Sequence, residues 1–281
     1  MRVSDYKYFD RRLIAVVPNE DFRKKVAEAK ITRREEAGLL GRLRRFLFGG
    51  VEDQAVSLFN TGIDLYLGLV GLQSAIRSRG GSILTVSKTD LEDIRFPPGH
   101  PDIGAVYSAH PTDTLLYYPI SDFHRQTFES KVSEAVRILM ALGANSIDIR
   151  HVSGWSREFS SEMGLALPGA SVSGASEAQK KENQEILFSI RLAGSNSAEL
   201  PPGLVWYEFE ETWKAIAEGR LKYGLKNFSL AINYNDDYGV NSELKSEIEE
   251  ANLKLSGKFF DHESTVWSIE GKFGLEEDVQ A

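Results

Sequence analysis

The sequence predicts an α+β protein: a mainly antiparallel sheet built from a duplicated strand–helix–strand–hairpin unit, with an N-terminal helical segment packed on it. Three observations predict this fold class. Short apolar stretches are typical of strands, longer stretches carry apolar residues at helical spacing, and a set of landmarks recurs in the C-terminal two thirds. With 281 residues, of which 42% are hydrophobic, the chain can bury a sizeable core.

The N-terminal third alternates strand and helix signals. Residues 13–17 are a continuous apolar run closed by a proline, which is typical of a short buried strand. Residues 20–48 and 51–79 have helical apolar spacing, and a glycine pair follows each. Residues 82–87 predict a second strand. Residues 95–119 are rich in proline and predict a loop that holds at most a short strand.

The remaining chain contains four landmarks twice: an apolar tetrapeptide, a helix, a glycine with a strand directly after it, and a closing strand. They are 115–118, 123–142, Gly143 and 187–190 in the first copy, and 204–207, 209–223, Gly224 and 266–269 in the second. One unit is too small to bury its sheet, so two units side by side would supply a continuous core. We therefore predict an N-terminal part over residues 1–113, repeat unit 1 over 114–199 and repeat unit 2 over 200–281, the two units forming one domain.

Composition excludes several classes of function. The chain has no cysteine, so disulfides, thiolate nucleophiles and cysteine metal sites are excluded. A net charge of -8 argues against broad, non-specific binding to nucleic acid. The N-terminus lacks the order of a signal peptide, and no window approaches the roughly 18 uninterrupted apolar residues of a membrane-spanning helix. We expect a cytoplasmic protein, with peripheral attachment to a membrane as the alternative.

Histidine and aspartate residues indicate a candidate site for acid–base catalysis. His110 and Asp113 lie in the proline-rich loop, and His124 opens the first repeat helix close to Asp122. If the three side chains His110, Asp113 and His124 converge, they could transfer protons in a hydrolase or another small-molecule enzyme. The alternative interpretation makes Asp122 or Ser121 a helix N-cap and His124 a surface residue of the first turn.

Recognised motifs for metals, nucleotides and serine hydrolases are missing from the sequence. No His-Glu-x-x-His, Walker or dinucleotide-binding pattern occurs, and no Gly-x-Ser-x-Gly accompanies the histidines. Asp236 and Asp237 could hold a hard cation, but a solvated turn is the commoner role of such a pair. We expect no metal and no cofactor.

A basic amphipathic segment is the clearest feature of the sequence that indicates a non-enzymatic function. Leucine and phenylalanine lie on one face of the predicted helix and arginines lie off that face. The residues expected to contact an anionic membrane or an acidic partner are Leu39, Arg42, Leu43, Arg44, Arg45 and Phe46. The alternative is an ordinary helix that packs its apolar stripe on the core and leaves its arginines in water.

Taken together, these patterns favour a non-enzymatic binding or self-assembling protein. A membrane-acting effector that uses the basic amphipathic segment is one version of it. Two alternatives stay open: the enzyme with the histidine and aspartate cluster, and a small-ligand sensor that binds between the two repeat units. The expected partners are a protein, a second copy of the chain or an anionic membrane surface.

Overall fold

The computed structural model describes residues 2–28, 53–155, 170–171 and 186–275. It has the mixed α+β fold that the sequence predicts. The chain divides into two units: the first consists of Met1–Phe123 with Gly239–Asp261, and the second of His124–Tyr238 with His262–Ala281. The predicted division into segments at residues 113 and 199 stays a prediction.

The elements follow the apolar pattern of the sequence closely. The helices are α1 (Tyr8–Arg11), α2 (Glu20–Glu28), α3 (Asp53–Ser78), α4 (Phe123–Ala141), α5 (Glu211–Tyr223) and α6 (Ser242–Glu250). The strands are β1 (Leu13–Val17), β2 (Ile83–Ser87), β3 (Val106–Ala109), β4 (Tyr117–Pro119), β5 (Ala144–Ser153), β6 (Ala170–Ser171), β7 (Ile186–Arg191), β8 (Asn227–Tyr234) and β9 (Thr265–Phe273). None of the helices within the described ranges is both long enough and apolar enough to cross a lipid bilayer.

The first unit is built on a four-stranded sheet in the order β2-β1-β3-β4. Strand β1 lies parallel to β2 and antiparallel to β3, and β3 is antiparallel to β4. All five residues of β1 are buried, as a continuous apolar run in an inner strand requires. The core of this unit includes Ile14 and Val16 from β1, together with Val86, Tyr107 and Tyr117.

The second unit is built on a five-stranded antiparallel sheet in the order β6-β7-β5-β9-β8. Burial alternates strictly along β8, so one face of this strand is covered and the other is exposed. An aromatic cluster fills part of the core, where the ring of Phe128 makes edge contacts with Trp155, Tyr234 and Trp267. Such contacts add to the stabilisation that comes from area burial.

The predicted duplication is not confirmed. In each copy a helix leads into a strand that pairs with a later strand, α4 with β5 and β7, and α5 with β8 and β9, but β6 intervenes in the first copy and α6 in the second. The first landmark differs between the copies, however. Tyr117–Pro119 forms β4 in the sheet of the first unit, whereas residues 204–206 form no strand and Tyr207–Phe209 is a 3-10 turn.

Candidate ligand-binding cavity

A cavity of about 200 Å³ opens in the first unit between the end of α1, the end of α3 and the start of α6. It is smaller than the usual site for a drug-sized molecule, so it suits a small ligand. The residues that line it are Phe9, Arg12, Leu13, Ile76, Arg79, Gly81, Ser82, Gly239, Asn241 and Leu244. These residues come from three separate stretches of the chain, 9–13, 76–82 and 239–244.

The turn after α3 forms one wall. Gly81 donates its backbone N–H to the carbonyl of Ile76, and a β-carbon at Gly81 would lie 2.8 Å from the Ile76 Cγ2 atom. Glycine therefore allows the chain to fold back against the last turn of the helix. The next residue, Ser82, donates its hydroxyl to the Asp10 carbonyl at 3.3 Å. This bond ties the wall to α1.

Arg12 supplies a positive charge to the cavity. Its carbonyl accepts a hydrogen bond from the Ala109 backbone at 2.8 Å, which places the residue at the start of β1. The guanidinium lies close to Gly239, where a β-carbon would be 2.5 Å from the Arg12 Nη2 atom. In the part of the chain that the structure describes, no ion pair or hydrogen bond engages this guanidinium. The guanidinium therefore lines the cavity without a charged partner among those residues.

Arg79 is the second guanidinium of the lining, but helix α6 neutralises it. The Arg79 side chain forms ion pairs with Glu243 and Glu247, which are four residues apart on that helix. Burial raises the pKa of Glu247, while the positive charge of Arg79 opposes that rise. Because two carboxylates share Arg79, the Arg12 side contributes more of the positive potential in the cavity.

Apolar side chains form the rest of the lining. Leu13, Ile76 and Leu244 are almost fully buried, and Phe9 is exposed over 62% of its surface at the rim. Asn241 caps helix α6, because its side-chain oxygen accepts the Leu244 N–H at 3.1 Å. The cavity therefore combines an apolar wall with two guanidinium groups, of which Arg79 is paired with carboxylates, and this lining suits an amphipathic anion.

The two predicted catalytic residues of the loop, His110 and Asp113, lie together in the first unit. The Nδ1 atom of the buried His110 accepts hydrogen bonds from the backbone N–H groups of Asp113 at 3.0 Å and of Thr112 at 3.3 Å. Burial lowers the pKa of His110 to about 4, against the opposing effect of Asp113. The Asp113 carboxylate pairs with Arg95 at 2.6 Å.

This arrangement suits a structural role of His110 better than a catalytic one. A general base needs a free lone pair on the imidazole, and the lone pair of Nδ1 already receives backbone hydrogen bonds. The assignment of the proton to the other ring nitrogen follows from this hydrogen-bond network. The histidine orders the turn that leads into β4.

His124, the third predicted catalytic residue, belongs to the second unit. It is fully buried, so the alternative interpretation of His124 as a surface residue is wrong. Its Nδ1 atom lies 2.9 Å from the Tyr234 hydroxyl, and its ring makes an edge contact with His262 at 5.3 Å between centroids. Burial raises the pKa of Tyr234 well above its ordinary value. Sequence reasoning did not select Tyr234 or His262, since each is far from His124 along the chain.

Two further candidate sites in the sequence are the segment around Arg42 and a cation site at Asp236 and Asp237. The basic amphipathic segment around Arg42 lies outside the described residues. No group of three or more histidine, aspartate or glutamate side chains in the described ranges could hold a metal ion. The Asp236 carboxylate accepts the Tyr238 N–H at 2.7 Å, which is the geometry of a local turn.

A small cavity lies where α4, α5 and β8 meet in the second unit. Its volume of about 10 Å³ is roughly that of one water-sized probe. The lining residues are Ala135, Ile138, Leu139, Trp213, Ile216 and Leu230. The two helices therefore pack too closely here to admit a metabolite, and this place lends no support to a ligand bound between the predicted repeats.

The chain was compared with models of known protein families, with curated proteins and with solved structures, and no match was found in any of the three. The chemistry of each unit is therefore inferred from its own side chains. In the first unit, the guanidinium of Arg12 beside an apolar wall is the arrangement with the clearest chemistry.

Proposed function

We propose that the protein is a non-enzymatic binding protein whose first unit takes a small amphipathic anion in the cavity at Arg12. The observation that carries the proposal is the Arg12 guanidinium, which lines the cavity without an ion pair to the described residues. Guanidinium groups bind carboxylates and phosphates through paired, charge-assisted hydrogen bonds. The anionic group of the ligand would lie against Arg12.

The apolar residues of the lining indicate the chemistry of the uncharged part of the ligand. Leu13, Ile76 and Leu244 would contact an alkyl or aryl group, and burial of that group from water would add to the affinity. Phe9 at the rim would cover the ligand from the solvent side. A short-chain or aromatic carboxylate or monophosphate meets both requirements within a volume of about 200 Å³.

The lining also supports binding over catalysis. It contains no histidine, aspartate, glutamate or tyrosine, so none of the lining side chains is an ordinary general base. The hydroxyl of Ser82 donates to a backbone carbonyl, and no base in the lining could activate it as a nucleophile. The enzymatic hypothesis on His110, Asp113 and His124 remains a separate proposal with weaker support.

We expect Arg12→Gln to weaken ligand binding by about tenfold or more, because a charge-assisted hydrogen bond is worth about 1.5–3 kcal/mol. The probes are benzoate, hexanoate and phenyl phosphate, first screened by thermal shift and then measured by titration calorimetry. A probe that binds the native state raises the melting temperature of the wild-type protein.

The matched control is Arg77→Gln, which removes an exposed arginine from the same end of α3 without changing the cavity lining. It should bind the probes as the wild-type protein does. The proposal fails if none of the three probes shifts the wild-type melting temperature. It fails equally if the Arg12 and Arg77 variants bind with the same affinity as the wild-type protein.

A second proposal concerns the basic amphipathic segment and rests on the sequence pattern alone. Its leucines and phenylalanine would enter the surface of an anionic membrane while Arg42, Arg44 and Arg45 contact the headgroups. We expect flotation with phosphatidylserine vesicles for the wild-type protein, and its loss when these three arginines become glutamate. Flotation that survives the charge reversal, or that never occurs, rules this proposal out.

The duplicated strand–helix–strand–hairpin unit is likewise a proposal. It is supported by the helix that leads into a pair of neighbouring antiparallel strands in each copy, β5 with β7 and β8 with β9, and by the strand directions. Since β5 and β8 are both antiparallel to β9, they run the same way, and β7 and β9 run the same way because both are antiparallel to β5. Two copies of one unit placed side by side would have this arrangement.

A further inference from the structure

Strand β8 forms one edge of the sheet in the second unit. Its one strand neighbour among the described residues is β9, and the two pair from Asn227↔Lys272 to Tyr234↔Thr265 without any shift in register. A long edge strand of regular geometry presents a row of backbone groups that can pair with another chain.

The direction of the backbone groups along β8 follows from one hydrogen bond. The Lys226 carbonyl accepts the Phe273 N–H at 2.8 Å, so the backbone of Lys226 faces β9. Because backbone groups alternate in direction along a strand, Asn227, Ser229 and Ala231 turn their N–H and C=O groups away from β9. These three residues therefore form the outer edge.

One end of this edge is already occupied. The Lys131 ammonium donates to the Asn233 carbonyl at 2.9 Å, and it also pairs with Glu210. None of the residues that the structure describes forms a hydrogen bond with the outward backbone groups of Asn227, Ser229 and Ala231. Within the described ranges, the part of the edge without a backbone partner thus runs from Asn227 to Ala231.

The usual protections of an edge strand are missing from β8. Natural edges carry a lysine or another charge, a proline or a bulge, any of which opposes pairing with a further strand. The sequence of β8 is Asn-Phe-Ser-Leu-Ala-Ile-Asn-Tyr, with no charged residue and no proline, and its pairing has no bulge. The exposed side chains of Asn227, Ser229 and Ala231 are small and neutral.

We propose that β8 is a self-association edge, on which a second copy of this chain adds its own β8 in the antiparallel direction. With the twofold axis at Ser229, each Ser229 lies opposite its counterpart and Asn227 lies opposite Ala231 of the other copy. The outward groups of both strands then meet as donors and acceptors. A twofold contact of this kind uses the same surface on both copies.

Charge and side-chain size favour a second copy over a foreign peptide. The chain carries a net charge of -8, so two copies repel one another over most of their surface, and the neutral edge is where they can approach. A foreign strand is usually selected by pockets for its alternate side chains. Asparagine, serine and alanine offer no such pockets, whereas they fit against one another across a twofold axis.

The test is sedimentation velocity over a concentration series that reaches the upper micromolar range. The wild-type protein should pass from monomer to dimer as the concentration rises. Ser229→Lys should remain monomeric, because the two lysines would lie directly opposite each other, and Ser229→Asp should do the same. An equimolar mixture of the two variants should again form dimers, since lysine would then face aspartate.

Two measurements separate this effect from loss of the fold or a general effect of charge. Far-ultraviolet circular dichroism and melting temperature establish that each variant is folded. Val152→Lys places a lysine at an exposed position of β5, which has β7 and β9 as neighbours, and should dimerise as the wild-type protein does. A wild-type protein that stays monomeric throughout the series overturns the proposal, as does a mixture of the Lys and Asp variants that fails to dimerise.

Discussion

Replacement of Glu134 with alanine is expected to lower the free energy of unfolding by about 3 kcal/mol or more. The Glu134 side chain is 5% exposed on α4, and its carboxylate accepts the backbone N–H groups of Val205, Trp206 and Tyr207, each at 2.8 Å. Alanine would leave these donors without an acceptor in a largely buried place, and an unsatisfied buried group costs about 1–3 kcal/mol. The cost should appear in the midpoint of urea unfolding followed by tryptophan fluorescence.

Two glutamine variants test whether the loss of stability comes from the Glu134 carboxylate. Glu134→Gln keeps one acceptor oxygen and should cost less than alanine, but clearly more than zero. Glu218→Gln is the matched control, because Glu218 is an exposed residue of α5 whose ion pair with Lys222 lies in water, so the change should cost less than about 0.5 kcal/mol. Equal losses at positions 134 and 218 would contradict a special role of the Glu134 carboxylate.

Acidification from pH 7 to pH 4 is expected to destabilise the protein through His110. Burial lowers the pKa of His110 in the folded state to about 4, whereas an unfolded chain takes up this proton near pH 6.5. As the pH falls, the unfolded state therefore binds the proton first, and stability decreases until the folded state is protonated as well. The shift corresponds to a loss of about 3 kcal/mol across this interval.

The contribution of His110 can be separated from that of other groups by a variant that does not titrate. In His110→Asn, the amide oxygen can accept the backbone N–H groups of the turn in place of Nδ1. Its unfolding free energy should fall less steeply between pH 7 and pH 4 than that of the wild-type protein. Thr112→Val alters the same turn but keeps the imidazole, and should retain the wild-type slope. If His110→Asn also retains that slope, the histidine is not the source.

Local patterns predicted much of the secondary structure. The run of buried residues in β1, the helix α4 and the alternation of β8 were all visible as apolar spacing. Gly224 was predicted to end α5, and it does so with a φ of 66° in the left-handed region. These features depend on residues close together in the sequence, which is why pattern and propensity suffice for them.

The predicted duplicated unit begins with a strand, yet residues 204–207 form none, because a distant side chain binds this stretch. The apolar sequence there resembles that of a strand, yet its backbone donors bind the Glu134 carboxylate and the chain turns at Tyr207–Phe209. Nothing at Glu134 itself distinguishes it from a surface glutamate on an amphipathic helix. A carboxylate is recognised as a backbone cap only when its partners are known.

The sequence by itself determined the α+β class, the positions of the strongly patterned helices and strands, and the absence of cysteine chemistry. Only the tertiary structure decided that Arg12 lies beside Gly239, that His110 is buried and neutral, and that β8 is an edge among the described strands. Periodicity acts over a few residues and reports which face is apolar. Partners, burial and the order of strands depend on contacts between residues far apart in the chain, which no local spacing records.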